Sequence, residues 1–253
     1  MITDLPEYLI YTLVVLTGFA VGFINTMAGS GSLLSLPLLI ALGLDPLTAN
    51  GTNRVAILLQ NVVGVSSFHQ KRQYRFRYDL HFIIPAVVGA VIGAQIAVDI
   101  DKEVMHTVIG IVLVVMLVVM LLNPKKILEG QPIDTVHTRF WRYPLFFFIG
   151  IYGGFIQAGI GIFILTSLAF TAGLDLVRAN AVKVLIILAY TPLALAIFIL
   201  NDQVNWVYGL TMAGGNMAGA LISSRIAVKH GVKFVKWILY LVIAAAATWM
   251  IAS

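Results

Sequence analysis

Arg54 and Lys183 each fall inside a long apolar run, in the segments Ala49-Asn-Gly-Thr-Asn-Arg54 and Ala179-Asn-Ala-Val-Lys183. Upstream of each stands a glycine pair that opens a short apolar run, Ala28-Gly29-Ser30-Gly31-Ser32 and Ala158-Gly159-Ile160-Gly161. Glycine lets a backbone turn sharply and approach a ligand, and Ser30, Ser32, Asn25 and Thr26 add hydrogen-bonding groups. A helix that starts at such a turn presents unpaired N–H groups, which favour anions. The chemistry on offer is electrostatic: two cations and backbone donors that could gather around a small anion. The plainer alternative is packing and snorkelling. The glycines would then only let helices approach, as Gly18-x3-Gly22 and Gly89-x3-Gly93 are expected to do. The cations would reach an interface about 5 Å away, one turn from helix starts near Asn50 and Asn180.

Charge favours the ligand. A cation near a helix N-terminus opposes the macrodipole, and one at the centre of a bilayer costs about 2.5–3.5 kcal/mol or more. All eleven carboxylates fall in loops or at segment ends, so none is near in sequence to offset Arg54 or Lys183. An anion would compensate both. The expected substrate site comprises Arg54 and Lys183 as attracting charges, with the backbone around Gly29, Ser30, Gly31, Ser32, Gly159 and Gly161 as a cradle. Asn50, Asn53 and Asn180 support the helix ends, and Asn25 and Gln157 lie close by in sequence. Gln60, Asn61, Thr191 and Asn216 are candidates to line the same path or to bond between helices. The two cations either share one site or act as two gates.

Other chemistries find no footing. Without an intramembrane carboxylate, neither a cation pathway nor a carboxylate proton relay has a carrier; His81 and His106 sit at helix ends. Gly29-Ser30-Gly31-Ser32 superficially suggests a serine nucleophile, but no histidine lies within a spanning core to act as its base. No His-Glu-x-x-His or phosphate-loop motif occurs, and the absence of cysteine excludes disulfides and thiolate metal sites. The expectation is a non-enzyme with no cofactor and no metal.

The elements that position these residues are membrane helices. Of the 253 residues 60% are hydrophobic and 11% charged, whereas a soluble domain carries about 25% charged residues. Lipid is therefore the solvent for most of the chain. The net charge of +5 reflects basic loops between apolar runs rather than a nucleic-acid footprint. Full-length runs of the ~17–25 residues a spanning helix needs cover about 8–28, 48–68, 80–99, 104–122, 180–200, 206–226 and 234–252, with a slightly shorter one at 143–158. Two more, near 31–43 and 161–173, are short. The N-terminus lacks the basic residues of a cleaved signal peptide. The expected fold is an all-α integral membrane protein with about eight full-length helices and two short half-helices or re-entrant segments.

A 130-residue shift superimposes the two halves. Gly29, Gly31, Leu38, Gly43, Leu44, Asp45, Ala49 and Asn50 fall on Gly159, Gly161, Leu168, Gly173, Leu174, Asp175, Ala179 and Asn180, and Lys183 falls on Asn53 beside Arg54. Upstream, Gly18, Gly22, Phe23 and Ile24 match Gly150, Gly154, Phe155 and Ile156 at a shift of 132. The organisation read from this is a first repeat at 1–122, a linker at 123–142 and a second repeat at 143–253. Loop charge inverts between the repeats. Lys71, Arg72, Arg75 and Arg77 mark the loop at 69–79, whose mate at 201–205 has no basic residue. Asp99, Asp101 and Glu103 mark 99–103, whose mate carries Lys229, Lys233 and Lys236. By the positive-inside rule the basic loops, the linker (Lys125, Lys126, Arg139, Arg142), Arg178 and Arg225 are cytoplasmic, and both termini lie outside. The repeats are then inverted. This requires an odd number of crossings between residues 8 and 68, met either by three crossings or by one plus a hairpin tipped by Gly29–Gly31.

Inverted repeats with paired broken helices recur in secondary transporters, with substrate near the midplane. At these residues the sequence also resembles a family. Ala28-Gly-Ser-Gly-Ser32 leading to Pro37, Gly43-Leu-Asp-Pro46, Ala49-Asn-Gly-Thr-Asn-Arg54, the run Gly150-Ile-Tyr-Gly-Gly-Phe-Ile-Gln-Ala-Gly-Ile-Gly161, Gly173-Leu-Asp175 and Ala179-Asn-Ala-Val-Lys183 are similar to the TauE/SafE sulfite-exporter family. The resemblance implies a plasma-membrane transporter of small sulfur-containing anions such as sulfite, sulfoacetate or other organosulfonates. Its partners would be a small anionic substrate and membrane lipid, not nucleic acid; the sequence leaves the oligomeric state open. An anion leaving a negative-inside cell gains about 2.3 kcal/mol per charge per 100 mV, so outward transport needs no coupled ion. The alternative is a proton-coupled importer or a channel-like permease.

Overall fold

The Gly-Leu-Asp tripeptides at 43–45 and 173–175 end in helix caps. In the computed structural model, which describes residues 5–27, 29–70, 74–121 and 140–226, the Asp175 carboxylate accepts from the N–H groups of Val177 and Arg178. Asp45 accepts from those of Leu47 and Thr48. Each carboxylate satisfies two of the four N–H groups a helix leaves unpaired at its start, and Pro46 suits the first helical position. The two helices begin at Pro46 and Leu176, a turn earlier than the expected starts at Asn50 and Asn180.

The described residues form helices α1 (Glu7–Met27), α2 (Ser32–Ala41), α3 (Pro46–Gln70), α4 (Phe76–Asp99), α5 (Lys102–Leu121), α6 (Arg142–Phe155), α7 (Ile160–Ala172), α8 (Leu176–Leu200) and α9 (Trp206–Ile226), with no strand among them. Four stretches, Glu7–Met27, Arg77–Asp99, Lys102–Val119 and Val177–Leu200, are long and apolar enough to cross a membrane. The expected short runs are α2 and α7, of 10 and 13 residues. They rise only about 15 and 20 Å. Helix α6 has 14 residues because the chain turns at Gln157 (φ 60°) and Gly159 (φ 68°), both left-handed. The apolar run at 234–252, most of the linker, and Lys71, Arg72 and Arg225 or its side chain lie outside the described residues.

Helix α2 doubles back along α1. A Cβ on Gly31 would overlap the carbonyl of Val21, and Val14 shares a cluster with Leu39 and Leu42. Helix α7 returns along α6 in the same way, with Phe146 clustered with Ile164 and Leu168. The tips of these two hairpins touch: the N–H of Gly161 donates to the carbonyl of Gly29 at 3.0 Å, and a Cβ on either glycine would overlap the other's backbone.

The remaining packing joins the two halves. Gly18 and Gly22 of α1 rest on the carbonyls of Met212 and Asn216 in α9, while Gly215 and Gly219 rest on Val15 and Phe19. Gly89 and Gly93 of α4 rest on Phe147 and Ile151 in α6, and Gly150 and Gly154 rest on Ala86 and Ala90. Gly18-x3-Gly22 and Gly89-x3-Gly93 therefore serve close helix packing as expected. One end of the bundle gathers Asp79, paired with Arg178 at 3.0 Å. There too Arg142, expected in the linker, is the buried first residue of α6 and donates to the Thr171 carbonyl at 2.8 Å. At the other end Lys102 lies 3.5 Å from Asp45, and Gln203 and Asn205 bond to Val98 and Thr52.

Candidate functional site

The hairpin turns leave helix C-termini at 24–27 and 153–156, whose last carbonyls lack partners within their own helices. Arg54 and Lys183 supply them. The Arg54 guanidinium donates to the carbonyls of Gly153 (3.2 Å), Gly154 and Phe155 (3.3 Å) at the end of α6. It also lies 4.5 Å over the Phe198 ring, and Asn50 donates to Phe155 at 2.7 Å. The Lys183 ammonium donates to the carbonyls of Asn25 (2.9 Å) and Thr26 (3.4 Å) at the end of α1, and to Asn180 Oδ1 at 2.7 Å. Each cation thus caps the broken helix of the other half, where the macrodipole is negative.

This corrects two expectations. The cations lie two turns rather than one into α3 and α8, and at 0% and 1% exposure neither snorkels. Their compensation is also partly internal, from carbonyls some 100 to 158 residues away in sequence. Helix ends carry only about half a charge, so a net positive charge remains at each. The two do not meet. Gly64 of α3 packs on Val184 of α8, which puts Arg54 ten residues, about 15 Å, along α3 from the level of Lys183.

Between the hairpin tips lies a cavity of about 10 Å³, room for about one water. Five of the expected site residues line it: Asn25, Gly29, Ser32, Gln157 and Lys183. They are joined by Gln60 and Asn61 and by Ile57, Ile160 and Ile187. The others lie around it. Ser30 is fully buried with an unpartnered hydroxyl. Gly31 gives its N–H to Asn25 Oδ1 at 2.6 Å. Asn53 accepts from the Ser35 hydroxyl at 2.7 Å and keeps a free amide nitrogen. Gly159 packs on Met116, and Gly161 is the tip contact. Asn50 and Asn180 belong to the two helix-end clamps. Thr191 and Asn216 bond between helices, to Gln157 and Gln60 respectively.

Sequence reasoning missed Tyr190 and Phe198. Tyr190 accepts from Gln157 at 3.4 Å, and its place, 130 residues after Gln60, was available from the repeat. Phe198 is the repeat mate of Phe68, but nothing local marks it as the ring beneath Arg54. Among the described residues the assembly is a polar pocket with one cation and several amides, enclosed by the two hairpin tips.

The sequence matches the family described as Sulfite exporter TauE/SafE over residues 14–250. It is similar to a probable membrane transporter protein, ORF9, of Sinorhizobium sp, with 26% identity over 99% of this chain and 95% of that protein. A probable membrane transporter protein of Haemophilus influenzae is 24% identical over 85% of this chain and 84% of its own. The probable membrane transporter protein YfcA of Escherichia coli K12 is 24% identical over 88% and 82%. No solved structure gives a significant match.

Proposed function

The chain belongs to the TauE/SafE sulfite exporter family, a family of membrane transporters, and from that membership we propose that it exports a small sulfur-containing anion across the plasma membrane. Sulfite, sulfoacetate and related organosulfonates are the candidate substrates. The repeats at 1–122 and 143–253 have inverted topology, the linker is cytoplasmic, and both termini lie outside. Hairpins α1–α2 and α6–α7 re-enter from opposite faces and meet near the midplane, where transporters of this design bind substrate. Two observations support the equivalence of the two halves. Exchanging the halves turns the α1–α9 packing into α6–α4 packing, and turns the Lys183–Asn180 clamp on α1 into the Arg54–Asn50 clamp on α6.

The observation that carries the reading is Lys183, buried at the hairpin crossing beside Asn25, Ser32 and Gln157. Among the described residues no carboxylate pairs with it, so the site favours an anion. With no coupled ion needed, the membrane potential drives the anion outward. The test is sulfite and sulfonate flux in proteoliposomes under an imposed potassium-diffusion potential. Saturable movement toward the positive side without a pH gradient is expected. Flux that ignores the potential and follows a pH gradient would identify a proton-coupled carrier instead.

A further inference from the structure

The hydrogen bonds around the cavity fix which groups face it. The Gly31 N–H occupies Asn25 Oδ1 at 2.6 Å, so the Asn25 amide nitrogen donates to Gln60 Oε1 at 3.2 Å. Asn216 donates to the same oxygen. The Gln60 NH2 is therefore left as a donor at the cavity wall, with the Ser32 hydroxyl beside it. The Thr191 hydroxyl gives its proton to the Ile187 carbonyl at 2.6 Å, so it can only accept from Gln157 Nε2. That leaves Gln157 Oε1, on a residue 1% exposed, as a buried acceptor without a partner. Asn61 gives its nitrogen to the Ile57 carbonyl at 2.7 Å, so its oxygen is an acceptor too. A fully ionised oxyanion offers acceptors only and would leave both oxygens unmatched.

Charge points the same way. Lys183 contributes one positive charge. The α1 C-terminus that it caps contributes about −0.5 and the α2 N-terminus at Ser32 about +0.5, and on the facing hairpin the α6 C-terminus and the α7 N-terminus at Ile160 offset each other in the same way. The sum is about +1. A monoanion neutralises it, whereas a dianion leaves about one negative charge buried without a partner, which is costly. Among the described residues Lys183 is the only titratable one lining the cavity. Tyr190 stands behind Gln157, and Arg54, held on the α6 carbonyls, does not line the cavity.

Resting on the transporter reading above, we propose that the site takes its substrate as a monoanion bearing its own hydrogen-bond donor; for sulfite this is hydrogensulfite, and the requirement disfavours sulfoacetate, a dianion, and sulfonates without a donor. The donor serves Gln157 Oε1 or Asn61 Oδ1, and the anionic oxygens take Gln60, Ser32 and the field of Lys183. Each turnover then moves one charge together with the substrate's own proton, and no side-chain relay is needed.

The test is sulfite flux in proteoliposomes on the acid and alkaline sides of sulfite's second ionisation, with three competitors. Sulfamate and methanesulfonate are near-isosteric monoanions with and without an N–H donor; sulfate is a dianion. We expect the half-saturating total sulfite to rise about tenfold per pH unit on the alkaline side. Sulfamate should compete at least about fivefold better than methanesulfonate, the worth of one hydrogen bond to a buried acceptor, and sulfate should not compete. Sulfate competing as well as sulfamate, or sulfite affinity independent of pH, would overturn the monoanion assignment. Methanesulfonate matching sulfamate would overturn the donor requirement. If sulfamate competition shifts with pH in parallel with sulfite, the titrating group belongs to the protein and the assignment fails. No flux of any of these anions would overturn the sulfur-anion reading above, and this inference with it.

Discussion

Arg54 and Lys183 hold equivalent places in the two halves, yet only Lys183 borders the cavity. Arg54 makes its bonds to three carbonyls and a ring, so its first duty is to hold the end of α6. Arg54→Gln should lower stability by about 2 kcal/mol or more, since charge-assisted bonds to buried carbonyls contribute about 1.5–3 kcal/mol; a fall in melting temperature in detergent would show it. Transport should fall as well, because α6 carries the turn at Gln157. Lys183→Gln removes the positive charge that Lys183 brings to the cavity, and sulfite affinity should drop by more than tenfold in a flux assay. Full transport by both variants at normal expression would remove the anion site. The cations themselves were legible in the sequence as charges without acids. Their partners were not, because a backbone carbonyl is common to every residue and only the hairpin geometry selects Gly153–Phe155 or Asn25–Thr26.

Two kinds of contact set the helices and can be tested separately. At the hairpin tips, Gly29 combines φ +76° with direct contact on Gly161, so a Cβ there meets strain and collision together. Gly29→Ala should abolish transport and reduce folded yield. Gly110→Ala in α5, where a Cβ meets nothing within 4 Å, should be neutral or stabilise by about 0.5–1 kcal/mol. At the caps, Asp175→Ala should cost about 1 kcal/mol, read by thermal unfolding. The titration of the Asp45 cap is perturbed. Burial pushes its carboxyl up, but bonds from the Thr48 hydroxyl and amide, Lys102 and the Leu47 amide together hold it below its ordinary value. The stabilisation is thus present above the unfolded pKa of about 3.9 and is lost as pH falls through the lower folded value. Asp45→Asn should flatten the acid side of the stability profile between about pH 5 and pH 2. These caps were written in the sequence as Gly-Leu-Asp followed by a helix former. Their use as repeat markers concealed their role, and the helices were placed a turn late.

At the scale of the whole chain, the helices were readable because apolar runs leave one-dimensional traces, as would the proposed duplication. The interleaving of the halves was not. The contacts of α1 with α9, and of α4 with α6, join residues far apart in sequence through glycines and alanines that carry no local signature of their partner. The folded chain gathers polar and charged residues at two opposed ends. Arg75, Asp79, Arg142 and Arg178 gather at one end, and Asp45, Lys102, Gln203 and Asn205 at the other. If the repeats are inverted, mates such as the loops at 69–79 and 201–205 must face opposite sides of the membrane, although a parallel duplication would put them on the same side. The chain contains no cysteine, so single substitutions report topology without a background to remove. Asn201→Cys and Asp101→Cys should react with a membrane-impermeant maleimide added outside intact cells. Arg77→Cys and Val177→Cys, also at exposed positions, should react only after the membrane is opened. Labelling of Arg77→Cys and Asn201→Cys from one side would make the repeats parallel. The hairpins would then enter from a single face, and the crossing at Gly29 and Gly161 would need a different explanation.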